Sequence, residues 1–249
     1  MAPGGGRGNT AREIFIMIAL LSGLIAGAGH VWAGPDHLSA VAPLAAHRPH
    51  RAWLPGLRWG LGHSAGVAIV GLLVLWLRDQ IPVAWLSSWG ERLVGFLLIG
   101  IGVWGLRQAA RHHVHAHEHT HDGEAHVHIH VHAAKGGHDR PAAHRHTHAA
   151  LGIGILHGLA GSSHLLGVLP MLAFPTKVMA MTYLVAFAVG TVISMAGFTW
   201  AVGWAARRCA ARGAQLYRGL MVTCGVAAIV VGFVWIAQAF GMAAEHAAG

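Results

Sequence analysis

Charge is what this sequence has least of. Charged residues make up 10% of the 249, whereas 55% are apolar, and a soluble domain carries about 25% charge. Carboxylates number only nine. Glu118, Asp122, Glu124 and Asp139 share one polar stretch in mid-chain, and Glu13, Asp79, Glu91 and Glu245 flank apolar runs. Asp36 is left, close to an apolar run and beside two histidines. So few charges cannot hydrate the surface of a cytosolic enzyme, and a polytopic membrane protein is implied. Cysteine is nearly absent too. Cys209 and Cys224 make neither a CxxC pair nor a metal-ligand spacing, which excludes a disulfide framework and thiol redox chemistry. No Gly-x4-Gly-Lys-Ser/Thr motif is present, so ATP dependence would need another chain. The net charge of +8 is spread over the ends of apolar runs, with no basic face interleaved with aromatics. That pattern reads as membrane anchoring and argues against nucleic acid as a partner.

Long apolar runs are what the chain does have. They fall near 13–33, 57–77, 91–110, 149–173, 178–204 and 217–240, each close to the roughly 20 residues that cross a hydrocarbon core about 30 Å thick. The fold class expected is an all-α membrane protein with six transmembrane helices. The stretch 79–90, with Pro82, Trp85 and Trp89, reads as interfacial. Residues 1–12 are short and Gly-rich. The run after them is too long for a signal peptide and lacks a small-residue cleavage site, so it is expected to be a retained span.

The two halves resemble each other. His30 to Pro43 lines up without a gap on His157 to Pro170, and seven of the fourteen positions are identical, including both histidines and the proline. Matches among Gly, Ala and Leu come easily in such a composition; two His and a Pro at fixed offsets do not. The organisation expected is a three-helix repeat over 1–110, a His-rich loop over 111–148 and a second three-helix repeat over 149–249, with the first helix of each half broken. Three spans per half make the second copy enter from the opposite side, and such inverted repeats place substrate sites where they meet, near the midplane. Counting Lys and Arg puts five on one side, Arg7, Arg12, Arg78, Arg92 and Lys177, and twelve on the other. The richer side is cytoplasmic. The His-rich loop is therefore expected in the cytoplasm and both termini outside.

The strongest local signal is His30-x5-Asp36-His37. Seven residues on an ideal helix span about 10.5 Å, too far for one ion whose bonds to nitrogen are roughly 2 Å. Gly34-Pro35 removes the difficulty by breaking the helix between the ligands. Asp36 would then start a second short helix, its carboxylate satisfying orphan amides. Broken helices at membrane depth are tolerated where they line a cavity, and ionisable groups there are usually functional. His30, Asp36 and His37 are thus the first-half portion of a divalent-metal site. The bland alternative is a packing histidine with an N-capping aspartate, but a packing His has no reason to recur, and His157 and His164 repeat the step. Ser162 and Ser163 stand where Pro35 and Asp36 do, so the second half offers weaker oxygen ligands.

His63, in Leu61-Gly62-His63-Ser64, is either a further ligand or a helix-contact His bonded to a carbonyl. His47 and His50, flanked by Arg48 and Arg51, read as interfacial. Met171, Met179, Met181 and Met195 would suit Cu(I), but they do not cluster and read as packing. Fourteen histidines fall within 112–148, a density that no packing role explains. His126, His128, His130 and His132 are the accessory metal ligands expected there. Period two could imitate a strand, but apolar positions between these histidines are few and Gly136, Gly137 and Pro141 interrupt the segment, so it is expected to be disordered until metal binds.

Together the GPDHL core within His30 to Pro43, Gly62-His63-Ser64 and His157 to Gly161 resemble the NicO/urease-accessory branch of nickel/cobalt transporters. The likeness covers all six spans but not the loop. The better-known nickel/cobalt permeases carry His-x4-Asp-His, one residue shorter than the interval here. The resemblance implies a permease of six to eight spans moving Ni²⁺ or Co²⁺ across the cell (inner) membrane, without a prosthetic group and without enzymatic activity. The His-rich loop is similar to efflux members and GPDHL to uptake members, so direction stays open. Zn²⁺ follows the same imidazole affinity order. Two other readings differ in class. A membrane thiol–disulfide electron carrier shares a three-plus-three arrangement but needs paired cysteines in the first span of each half. A metal sensor or storage partner would hold nickel in the loop and deliver it to a metallochaperone or to urease or hydrogenase maturation proteins.

Overall fold

The structure is a computed structural model that describes residues 5–76, 83–111, 113–121, 124–132, 145–160, 167 and 169–248. Its helices are α1 (Gly5–Ala33), α2 (Pro35–His47), α3 (Trp53–Trp76), α4 (Val83–Arg111), α5 (Arg145–Leu159), α6 (Lys177–Arg212) and α7 (Ala214–Ala248), with short 3-10 turns at Pro49–Arg51 and Leu169–Ala173. Among the described residues, four helical segments are long and apolar enough to cross a membrane: Arg12–Ala33, Trp89–Arg111, Lys177–Arg212 and Ala214–Gly241. The chain is a multi-pass membrane protein.

The run 149–173 is interrupted, in keeping with a broken first helix in the second half: α5 stops at Leu159, where Ala160 N–H turns back to the His157 carbonyl at 3.2 Å. α4 begins at Val83, within the stretch read as interfacial, and its candidate span begins at Trp89. The membrane part is all-helical, and the His-rich segment between the halves carries an antiparallel hairpin, β1 (His113–His121) and β2 (Glu124–His132). The interrupting Gly136, Gly137 and Pro141 all lie beyond His132, and Ala125, Val127, Ile129 and Val131 alternate with histidines along β2. Period two with β-branched residues between is a strand pattern. The register sets His113 opposite His132, His115 opposite His130, His117 opposite His128 and His119 opposite His126.

The break between α1 and α2 falls at Gly34, as the sequence predicts. Its N–H closes α1 on the His30 and Val31 carbonyls, and its carbonyl accepts from His37 and Leu38 N–H to open α2. Pro35 occupies the first helical position, where its missing N–H costs nothing and its fixed φ suits the turn. At the far end, Thr176 caps α6 by accepting from Met179 N–H at 3.3 Å. Gly213, at φ 141°, ends α6 and returns its N–H to the Cys209 and Ala210 carbonyls, the left-handed stop that glycine allows.

The helices pack in pairs: α1 on α6, α3 on α5, α4 on α7, and α3 again on α6. α2 lies inside this frame against α4, α6 and α7. Val31, Ala40, Val41, Trp59, Val94, Leu98, Ala160 and Met195 join five of these helices and the residue that follows α5 in one buried cluster. The end of α2 is tied down by Tyr217, whose hydroxyl donates to the Ala46 carbonyl at 3.1 Å, and the following turn by Arg207, which donates to the Pro49 carbonyl. Met171, Met179 and Met195 are buried in apolar clusters, in keeping with a packing role.

Candidate metal centre

Four helices bring one histidine each to a common point: His30 from the last turn of α1, His37 from the first turn of α2, His63 from α3 and His157 from the last turn of α5. His37, His63 and His157 are buried, as is Asp36, and His30 is partly buried. His30 Nε2 lies 3.0 Å from His37 Nε2 and 3.3 Å from His63 Nε2. Asp36 bridges two further contacts. Its Oδ1 accepts from His37 Nδ1 at 2.9 Å and its Oδ2 from His157 Nε2 at 2.9 Å. Two overlapping triads result, His30/His37/His63 and Asp36/His37/His157, each with its ligand atoms within 4.8 Å of one another. His37 belongs to both.

These spacings decide what the cluster can do. Two nitrogens bound about 2.1 Å from one ion stand about 3.0 Å apart at a right angle and about 3.4 Å apart at the tetrahedral angle. Both observed separations fall on that range. Donating through Nδ1 to Asp36 leaves a neutral His37 with a lone pair on Nε2. His30 Nε2 is then either one donor or one acceptor, yet has two imidazole nitrogens against it, and it serves one neighbour at a time. A shared dication serves all three. With such an ion in place, Asp36 would orient His37 from behind, as carboxylate–histidine pairs do at metal sites.

Sequence reasoning placed Asp36 as a helix cap; the structure corrects this. Gly34 is the cap residue and makes no side-chain capping bond, and both Asp36 oxygens go to imidazoles. A carboxylate only 3% exposed must be compensated, and two ring N–H groups do so more directly than backbone amides. His63, left open between ligand and helix contact, lies within the first triad. His164, Ser162 and Ser163 lie outside the described residues, as do the side chains of His126, His128, His130 and His132. His47 stands apart, its ring edge-on to Trp104 at 5.1 Å, and His50 is exposed. Cys209 and Cys224 are free thiols on α6 and α7.

Two residues missed by the sequence reading build the walls. Trp59 is fully buried and stacks on His63 at 4.8 Å with the planes 6° apart, and it lies 5.2 Å from the His37 ring and 5.0 Å from His157. Its place four residues before His63, on the same face of α3, was the available signal. Phe187 of α6 lies 5.5 Å from the His30 ring. Two glycines are required by close approach. A Cβ at Gly34 would overlap His37 Nδ1 and stand 2.9 Å from Asp36 Oδ1; one at Gly158 would overlap the His63 carbonyl oxygen and stand 3.0 Å from Val67 N. Gly158 lets α5 cross α3 closely enough for His157 and His63 to meet, a common use of small residues in membrane bundles.

The family model described as "Cytochrome C biogenesis protein transmembrane region" matches residues 16–227. The chain belongs to that family. Among curated proteins it is 33% identical over 195 residues to Chloroplast protein FOR GROWTH AND FERTILITY 1 of Arabidopsis thaliana, covering 78% of this chain and 52% of that one. It is 32% identical over 189 residues to Chloroplast protein FOR GROWTH AND FERTILITY 2 of the same plant, covering 76% and 48%. The chain thus spans about half the length of these two relatives. It is also similar to the Urease accessory protein UreH of Bacillus sp. (strain TB-90), 28% identical over 205 residues, with 77% of this chain and 78% of UreH covered. That likeness supports the urease-accessory type of membrane family expected from GPDHL. No solved structure matches the chain.

Proposed function

We propose that this protein is a secondary transporter for divalent transition-metal ions, Ni²⁺ or Co²⁺ with Zn²⁺ chemically admissible, passing them through the His/Asp centre between two inverted repeats. The observation that carries the reading is that His30 Nε2 meets the Nε2 atoms of His37 and His63 at 3.0 and 3.3 Å, ligand spacings for one ion, with Asp36 behind His37. Helix pairing supports the repeat. A two-fold operation exchanging α1 with α5, α3 with α6 and α4 with α7 turns the α1–α6 pair into the α5–α3 pair, and leaves α4–α7 and α3–α6 unchanged. The similarity to a urease accessory protein agrees with nickel as cargo and with maturation proteins as downstream partners. In the orientation proposed, the His-rich segment faces the cytoplasm of the cell (inner) membrane and the termini face outward, following the Lys and Arg count.

The test has two arms. Purified protein is titrated with Co²⁺ and the ligand-field absorption followed, and cells expressing the chain are compared for accumulated Ni, Co and Zn. One Co²⁺ bound at the centre, with a rise or a fall in cellular metal, is expected; the sign gives the direction. Unchanged cellular metal in all three cases overturns transport.

A thiol–disulfide carrier would share the three-plus-three arrangement, but the two cysteines here sit outside the centre, and imidazoles occupy it. One observation favours a storage or sensor role beside transport, the register that sets four histidine pairs opposite one another in the hairpin. Deleting 112–148 separates the two. Transport is expected to persist with weaker apparent affinity, because a tethered histidine cluster only raises local ion concentration. Complete loss of transport in a protein that still inserts would make the loop the working part.

A further inference from the structure

Resting on the transport reading, we infer that the cavity between the α1–α2 break and α7 is the water-filled vestibule through which a hydrated dication reaches Asp36 and His37, with Gln238 as the group that holds its water shell. The cavity measures about 430 Å³ and is bounded on one wall by His30, Gly34, Asp36 and His37 and on the other by Val231, Val234, Trp235 and Gln238. An ion with six waters of about 30 Å³ each needs about 180 Å³, so the space admits the cation before it sheds its shell.

Two polar groups, one on each wall, suit a hydrated cation. Gln238 is exposed three residues before the end of the apolar span Ala214–Gly241, where a primary amide has water to bond. Asp36 is the one acidic side chain among the lining residues and sets the sign of what the cavity attracts. The end of α7 beside Gln238 is fixed: Arg92 donates to the Ala239 carbonyl at 3.4 Å and lies against the Trp89 and Phe240 rings at 5.0 and 4.6 Å. The remaining lining, Ala33, Pro35, Val231 and Val234, offers no ligand, so an ion crosses it hydrated and gives up water only at the imidazoles.

The test uses the full chain with Cys209→Ser and Cys224→Ser, carrying Gln238→Cys, or Val234→Cys on the same wall. The control is Val230→Cys, exposed on α7 but outside the cavity. Each is treated in membranes with a cationic, membrane-impermeant methanethiosulfonate, while Co²⁺ binding to the centre is measured on unlabelled protein. Thiols react as thiolates and need water, so Gln238→Cys and Val234→Cys are expected to label at least about tenfold faster than Val230→Cys, and labelling to block Co²⁺ movement. Gln238→Leu is expected to lower transport at limiting Co²⁺ about fivefold, what one lost hydrogen bond is worth, with the maximal rate unchanged. Labelling of both wall positions no faster than Val230→Cys, with Co²⁺ binding intact, overturns the vestibule and leaves the metal centre standing. Failure of the unlabelled protein to bind Co²⁺ overturns the centre itself, and the vestibule with it.

Discussion

His37→Ala is expected to abolish specific Co²⁺ binding and metal movement while the protein still inserts and folds. His37 joins both triads: Nδ1 donates to Asp36 and Nε2 lies 3.0 Å from His30. Its loss takes away a ligand and leaves one Asp36 oxygen without its partner. The expected fall in Co²⁺ affinity exceeds about a hundredfold, beyond the 10–100-fold span usual for groups that only support a ligand. Asp36→Asn is the informative companion. If Asp36 acts by orienting His37, the amide keeps one acceptor, and affinity falls about 10–100-fold with the Co²⁺ absorption band preserved in shape. If Asp36 is itself a ligand, the band changes, because an oxygen donor has left the ion. Equilibrium titration in detergent with visible spectroscopy reads both. Normal binding and flux in both variants would remove the site assignment entirely.

Much of this centre was legible in the sequence because its chemistry lies in rare residues. In a chain with nine carboxylates and long apolar runs, Asp36 between two histidines could hardly be anything but costly or functional, and Gly34-Pro35 announced the break that lets His30 and His37 meet. The recurrence of the motif around His157 pointed to the second-half histidine that joins the cluster in the same way. What could not be read was which partner each polar atom chooses. A cap and a carboxylate that pairs with imidazoles have the same one-dimensional signature, an acidic residue in the first turn of a helix. Only the arrival of His157 from α5, 121 positions away, decides between them. Trp59 was passed over because one tryptophan among ten carries no signal until His63, four residues on, is known to be in the site. The hairpin is hard to read for a different reason: its apolar positions are few, and the glycines and proline that break the pattern all lie beyond its arms.

The remaining large effect concerns space more than ligands. Gly34→Ala is expected to leave the bundle folded but to weaken Co²⁺ binding about a hundredfold, because the added methyl falls on the Asp36–His37 hydrogen bond, an interaction that tunes the ligand from behind. Gly34 is in extended backbone at φ −95°, which alanine adopts readily, so the cost falls on the pair and little on the chain. Gly158→Val should act the other way. Its side chain meets the backbone of α3 at His63, and backbone cannot move aside as a flexible side chain can. Overpacking of this kind costs about 1–3 kcal/mol or more, enough to reduce folded yield in membranes and lower the thermal midpoint, taking metal binding with it. Comparing the two by thermal melting and Co²⁺ titration tests whether the glycines divide their work as the geometry requires. A Gly34→Ala protein with unaltered Co²⁺ affinity would mean that the Asp36–His37 contact does not set the centre. A Gly158→Val protein with an unchanged melting midpoint would mean that α3 and α5 do not cross this closely.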